Sequence, residues 1–240
     1  MRVADSTLAR LGRLEGVPSA LAAARDGIDL VLRDRGLRRT TPENTADSLL
    51  CGAHASAVLE GSVSTLAEVR ADGGDPTARD AVRVSTHLLG LAPLLSTSPL
   101  QALARLHAVA AASGPHDQAG RPRDAAAAAR LQEVGRLLAA PASEPALLVA
   151  AVVHAELATA AAFASHNGLV ARAAERLVLV ARGLDEKSLV VPEAGHLALR
   201  AAYESNLRGY RYGGPAGVHG WLLYAAEAYT EAAAASPVAR

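Results

Sequence analysis

Apolar positions recur at helical spacing along nearly the whole chain. In "PSALAAARDGIDLVLRDRG" the residues Leu21, Ala24, Ile28 and Val31 share one stripe, and Gly36 follows where a helix can end. "TPENTADSLLCGAHASAVLEG" opens with Thr41 as N-cap, Pro42 at the first helical position and Glu43 in the first turn. It closes at Gly61, a residue suited to a left-handed C-cap. The same period predicts helices over "PTARDAVRVSTHLLGLAPLLS", "SPLQALARLHAVAAA" and "DAAAAARLQEVGRLLAA". It continues over Pro145–Phe163, Gly168–Arg182, Pro192 to Tyr210 and Pro215 to Ala235. No run alternates β-branched and polar residues as a strand does. The pattern predicts an all-α bundle of eight or more helices. The one long irregular stretch is "SGPHDQAGRPR", Ser113–Arg123, and connections of that length are often functional.

The most informative interruption is Ser165-His166-Asn167-Gly168, which cuts an apolar run in two. A helix starting near Gly168 leaves its first N–H groups without intrahelical partners, at the positive end of its dipole. Asn and Gly tolerate left-handed backbone angles, so several N–H groups can converge on an anion such as phosphate. Arg172 lies one turn further and is the residue type that clasps phosphate oxygens. Spacing alone is also met by a plainer arrangement. In it Asn-Gly merely turns the chain between two helices, and Arg172 is a solvated surface charge.

Composition narrows the setting. Half of the 240 residues are hydrophobic but only 3% are aromatic, so the core must be built from Ala, Leu and Val. Formal net charge is zero, with 24 basic and 24 acidic side chains, which argues against a nucleic-acid partner. One cysteine, Cys51, excludes an internal disulfide and fits a reducing compartment. The first residues lack the apolar core of a signal peptide, and no window reads as a membrane span. The expectation is a cytoplasmic globular protein.

"AAFASHNGLVAR", Ala161 to Arg172, resembles the signature of Fic-domain proteins, His-Pro-Phe-x-Asp/Glu-Gly-Asn-Gly-Arg-x-x-Arg. The match falls at Phe163, Asn167, Gly168 and Arg172. "SAVLEG", Ser56 to Gly61, resembles the family's inhibitory motif, Ser/Thr-x-x-x-Glu-Gly/Asn. The resemblance implies a Fic-like helical domain over 41–240, with an N-terminal helical segment, 1–40, packed on it. It implies an inhibitory helix at about 43–61 carrying Ser56, Glu60 and Gly61. It further implies a β-hairpin flap at 113–123, including Gly120 and Arg123, over the motif loop 161–172. Ser165, His166, Asn167, Gly168 and Arg172 would form the anion or nucleotide site, with Glu60 paired to Arg172.

The departures from the signature change the implied activity. The position of the family's general base is Ala161, that of its metal-holding acid is Ser165, and that of its first arginine is Leu169. Alanine accepts no proton, and loss of a general base typically costs about 10²–10⁴-fold in rate. A serine hydroxyl is a poor sole anchor for Mg²⁺, so strong Mg²⁺ binding is not expected. The implied protein is a degenerate Fic pseudoenzyme, regulatory or partner-binding, that keeps at most weak binding of ATP or another nucleotide. Its partner would be a protein, and a homodimer is compatible with the sequence. The alternative is a divergent nucleotidyl or phosphoryl-moiety transferase with His166 as a relocated base.

Other chemistry is faint. A metal set of His154, Glu156 and His166 is disfavoured, since positions two apart diverge by about 200° on a helix. His154 reads better as a packed or capping histidine, and Cys51 as a small core residue. No Ser/His/Asp nucleophile is legible. Tyr203, Tyr210, Tyr212, Trp221, Tyr224 and Tyr229 read first as a packing cluster, with a nucleoside-stacking platform as the second reading.

Overall fold

The computed structural model describes residues 3–33, 41–114, 116–139, 141 and 143–239. Among them are thirteen α-helices and no strand. They are α1 (Val3–Leu11), α2 (Val17–Val31), α3 (Pro42–Leu59), α4 (Leu66–Arg70) and α5 (Pro76–Leu88). Next come α6 (Ala92–Thr97), α7 (Pro99–Ala110), α8 (Ala125–Leu138), α9 (Ala146–Ala160) and α10 (Asn167–Ala181). The chain closes with α11 (Pro192–Ala198), α12 (Arg200–Tyr212) and α13 (Gly214–Ala234). Gly36, expected at the end of α2, lies outside the described residues.

The ends form where polar side chains replace missing helix hydrogen bonds. Thr41 N–H donates to Asn44 Oδ1 at the start of α3, with Pro42 in the first turn. Asp75 accepts from Ala78 N–H before α5, and Asp124 from Ala127 N–H before α8. Gly61 takes φ 92 just after α3, as the sequence predicts. The run from Pro76 to Ser96 is not one helix. It passes through a 3₁₀ turn at Leu89–Leu91, because Pro93 has no N–H and fits only the first turn of the new helix α6. The run from Pro192 likewise divides at Leu199 (φ −106, ψ 32).

The centre of the bundle is the pair α9 and α10, which pack on each other more extensively than any other two helices. Every residue from Leu147 to Ala155 is buried, so this part of α9 has no solvent face. Around this pair, α13 packs on α2, α11 and α12, while α3 packs on α5 and α11. Leu8, Val17, Leu21, Ala24 and Ile28 from α1 and α2 belong to the same hydrophobic core, so the first forty residues contribute to it.

The β-hairpin expected at 113–123 is absent among the described residues. That segment holds a 3₁₀ turn, His116–Gln118, instead. Pro115 and Pro122 lack the N–H groups a ladder needs, which leaves too few donors for paired strands. The segment is still tied down: Gly120 N–H donates to His107 Nδ1, and Arg123 N–H donates to the Ala162 carbonyl. The segment therefore meets the loop before α10 through the Arg123–Ala162 backbone bond.

Candidate functional site

The loop between α9 and α10 is shaped by two left-handed residues, Ala161 (φ 43) and His166 (φ 56). Asn167 fixes what lies between. Its Oδ1 accepts from Phe163 N–H and its Nδ2 donates to the Phe163 carbonyl, both at 2.9 Å. Phe163, the only phenylalanine of the chain, stacks on the buried His107 with centroids 4.2 Å apart. A polar clamp and an apolar anchor thus hold the same residue. His166 turns out from the loop: Nε2 meets Asp80 Oδ2 at 3.0 Å and Nδ1 meets Ser165 Oγ at 2.7 Å. Asp80 also accepts from Arg83 at 2.8 Å.

Arg172 is not a surface charge. It is 2% exposed and fully engaged by α3 and α12. Nε donates to Ser56 Oγ (2.8 Å), Nη2 to the Ser56 carbonyl (3.2 Å) and to Glu60 Oε1 (2.6 Å), and Nη1 to Tyr203 OH (3.1 Å). Ser56 and Glu60 reach it together because positions four apart share one helix face. The Glu60 carboxylate rests against Gly168 so closely that a Cβ there would overlap Oε1 and come within 2.9 Å of its carbon. Only glycine permits this approach. Glu60 thus places its negative charge at the N-terminal, positive end of α10.

One turn along α10, a second buried arginine repeats the arrangement. Arg176 donates to Ser48 Oγ and carbonyl, to Ser188 Oγ and carbonyl, and to Glu193. Gly52 faces it from α3, where a Cβ would overlap Nη1 and lie 2.8 Å from Glu193 Oε2.

Beneath Arg172 runs a buried polar chain. His154 Nδ1 and His196 Nε2 both meet Glu175 Oε2, at 2.7 and 2.9 Å, and Tyr229 OH donates to Oε1 at 2.9 Å. Tyr203 OH lies 3.0 Å from His154 Nε2, and Tyr224 OH 2.8 Å from His196 Nδ1. One proton assignment satisfies every bond. Arg172 donates to Tyr203, Tyr203 to His154, and Tyr224 to His196. Both neutral imidazoles and Tyr229 then donate to the Glu175 carboxylate. Two histidines and a carboxylate this close could hold a metal, their ligand atoms lying within 4.8 Å of one another. Here each of those atoms already has a protein partner.

Burial pushes the His154 pKa down to about 4, against the opposing pull of Glu175. For Glu175, burial alone would raise the pKa, but the two histidines override it and hold the carboxyl well below its usual range. The sign for stability follows. As pH falls through 6.5 the unfolded chain binds a proton at His154 while the folded chain does not, so unfolding gains. The contribution is complete above about pH 6.5 and lost towards pH 4. Chemical denaturation should therefore show a loss of about 2 kcal/mol between pH 7.5 and 5, before exposed carboxylates titrate. A flat profile over that range would contradict a neutral buried His154.

His154, Glu156 and His166, the set disfavoured by its spacing, have separate partners. Glu156 pairs with Arg130 (2.7 Å) and accepts from Tyr210 OH (2.8 Å), beside a surface cleft of about 460 Å³ that Arg123 also lines. His154 and His166 have the separate partners described above. The aromatic residues near the C-terminus form the packing cluster: Trp221 and Tyr229 are fully buried and Tyr203 and Tyr224 nearly so. Tyr212 stands outside it, 75% exposed. Cys51 is half-buried, its sulfur 3.9 Å from Arg70. Sequence reasoning missed Asp80, Glu175 and His196. Each is a charged or titratable residue within an otherwise apolar helical stripe, which is the signal that was available.

No family sequence model matches the chain, and no curated protein matches it at the sequence level. Solved structures do. A Fic family protein from Desulfovibrio desulfuricans is similar with a TM-score of 0.75 and 17% identity, covering 92% of this chain and 74% of that one. Fic-1 from C. elegans is similar with a TM-score of 0.66 and 17% identity, covering 89% of this chain and 69% of that one. A substituted form of Fic-1 gives 0.68 and 16%, over 89% and 70%. No helix among the described residues is long and apolar enough to cross a membrane.

Proposed function

We propose that this chain, which has the Fic-domain fold, is a pseudoenzyme without efficient AMP transfer that acts through a protein partner in the cytoplasm. The observation that carries this reading is the occupant of the anion site: Glu60 lies against Gly168 and pairs with Arg172 at 2.6 Å. The loop itself offers no base at Ala161 and no carboxylate at Ser165. The two carboxylates nearby do not replace them as Mg²⁺ ligands, since Asp80 is held by Arg83 and His166 and Glu60 by Arg172. The residues present therefore do not fit a metal–triphosphate complex. A nucleotide would bind weakly, after Glu60 has moved aside.

Purified protein incubated with labelled nucleoside triphosphates and a lysate, as wild type and as Glu60→Gly, tests this. Neither form should transfer label. In a thermal shift against a nucleotide panel, Glu60→Gly should respond more than wild type, because removing the carboxylate frees Arg172 and lifts a negative charge from the N-terminal end of α10. Covalent labelling by ATP that disappears in His166→Ala would overturn the proposal. It would favour the second reading, a transferase with His166 as relocated base, which the Asp80 contact supports by orienting the ring.

A further inference from the structure

Ser165, His166 and Asp80 stand in a hydrogen-bonded line, Oγ to Nδ1 at 2.7 Å and Nε2 to Oδ2 at 3.0 Å. We propose that Ser165 is a base-activated nucleophile that accepts the acyl group of an uncharged ester, a reaction distinct from nucleotidyl transfer and independent of nucleotide binding. The tautomer follows from the partners. Asp80 can only accept, so Nε2 carries the proton and Nδ1 presents a lone pair to the serine hydroxyl. A general base within hydrogen-bond reach of its nucleophile, oriented by a third group, is the arrangement that activates an alcohol. Left-handed backbone at His166 (φ 56) is uncommon for a residue with a side chain. It turns the ring back on the preceding serine and towards α5.

The surroundings select the electrophile. Ser165 is exposed, so a donor can reach it. Asp80 and Glu60 put two carboxylates on the flanks of the loop, the second against Gly168. A polyanion approaching Ser165 would face both charges, whereas a neutral ester carbonyl would not. The amides of Asn167 and Gly168 have no hydrogen-bond partner among the described residues.

In the first step Ser165 Oγ bonds to the carbonyl carbon and its proton passes to His166 Nδ1. The tetrahedral adduct collapses by breaking the bond to the leaving alcohol oxygen, which takes that proton. Water then attacks acyl-Ser165 by the same route, with His166 again as base, and releases the acid. Asp80 is a positioning residue, since it touches only the imidazole. The charged and titratable groups around His166 are Asp80, with Arg83 behind it on α5, and His107 on α7, its ring 6.5 Å away.

The test uses the full chain with p-nitrophenyl acetate as substrate and an alkyl fluorophosphonate as covalent reporter. One adduct per chain should map to Ser165 by peptide mass spectrometry and vanish in Ser165→Ala. His166→Asn keeps a residue that tolerates left-handed angles and should lower the labelling rate about 10²–10⁴-fold. Asp80→Asn should lower the labelling rate and Asp80→Glu restore part of it, because a carboxylate is what holds the Nε2 proton and fixes the tautomer. A Ser165→Ala that labels like wild type, or a His166→Asn within about threefold of it, would overturn the proposal. Adduct position is read on the wild type, and no adduct there, or one at another residue, would overturn the proposal whatever the variants do. The labelled-ATP experiment reads a different transfer, so either result can fail alone.

Discussion

Glu175→Leu is expected to lower the free energy of unfolding by about 3–5 kcal/mol, the range for breaking a buried charged network on one side. The carboxylate accepts from three buried donors, on His154, His196 and Tyr229. A leucine of similar volume accepts from none of them, so all three donors lose their partner, although Tyr229 can turn to the Leu147 carbonyl at 3.3 Å. Each buried donor left unpaired costs about 1–3 kcal/mol. The strain passes along the line, because His154 is also the acceptor for Tyr203, and Tyr203 for Arg172. Urea denaturation at pH 7.5 measures the effect. A change below about 1 kcal/mol would mean that the network contributes shape and no energy.

Gly52→Ala should cost about 3 kcal/mol although alanine is the better helix former by about 1 kcal/mol. The two effects have opposite signs, so the direction of the result decides between them. Gly52 sits inside α3, where a Cβ would overlap the end of Arg176. A long side chain normally swings aside at little cost. Arg176 cannot, because its donors are taken by Ser48, Ser188 and Glu193 and it is almost fully buried. Moving it breaks several charge-assisted bonds at once. Thermal unfolding of Gly52→Ala beside Gly27→Ala, a helical glycine with nothing within 4 Å, separates packing from propensity. A Gly52→Ala melting at or above wild type would show that α3 has room to retreat.

The helices were legible because each carries its own signals, such as Thr41 before Pro42 and Asn167-Gly168 after an apolar run. The Ser56–Glu60 motif and its Arg172 partner came from the resemblance to the Fic signature, since spacing alone also allowed Arg172 to be a surface charge. Breaks decided by single prolines were read too smoothly, as at Pro93, where the residues on both sides keep the helical period. The flap went wrong for the complementary reason: strand pairing needs donors that Pro115 and Pro122 do not supply. Most of the polar chemistry could not be read from local pattern. Asp80 and His166 are 86 residues apart, and His154 meets Glu175 and Tyr203 from separate helices. Such partnerships are created by packing α5, α10, α12 and α13 around α9, and no periodicity specifies which polar residue faces which.

The one tryptophan of the chain is placed where it can observe all of this. Trp221 is fully buried, donates to the Ala151 carbonyl at 2.9 Å, and has its ring 5.3 Å from that of His154. A neutral imidazole at that distance leaves indole emission largely alone, whereas an imidazolium quenches it. The protein therefore carries its own optical probe of the charge state of its interior. Excitation at the indole band reports whether the proton has entered the His154–Glu175 pair, with no label and no change of sequence.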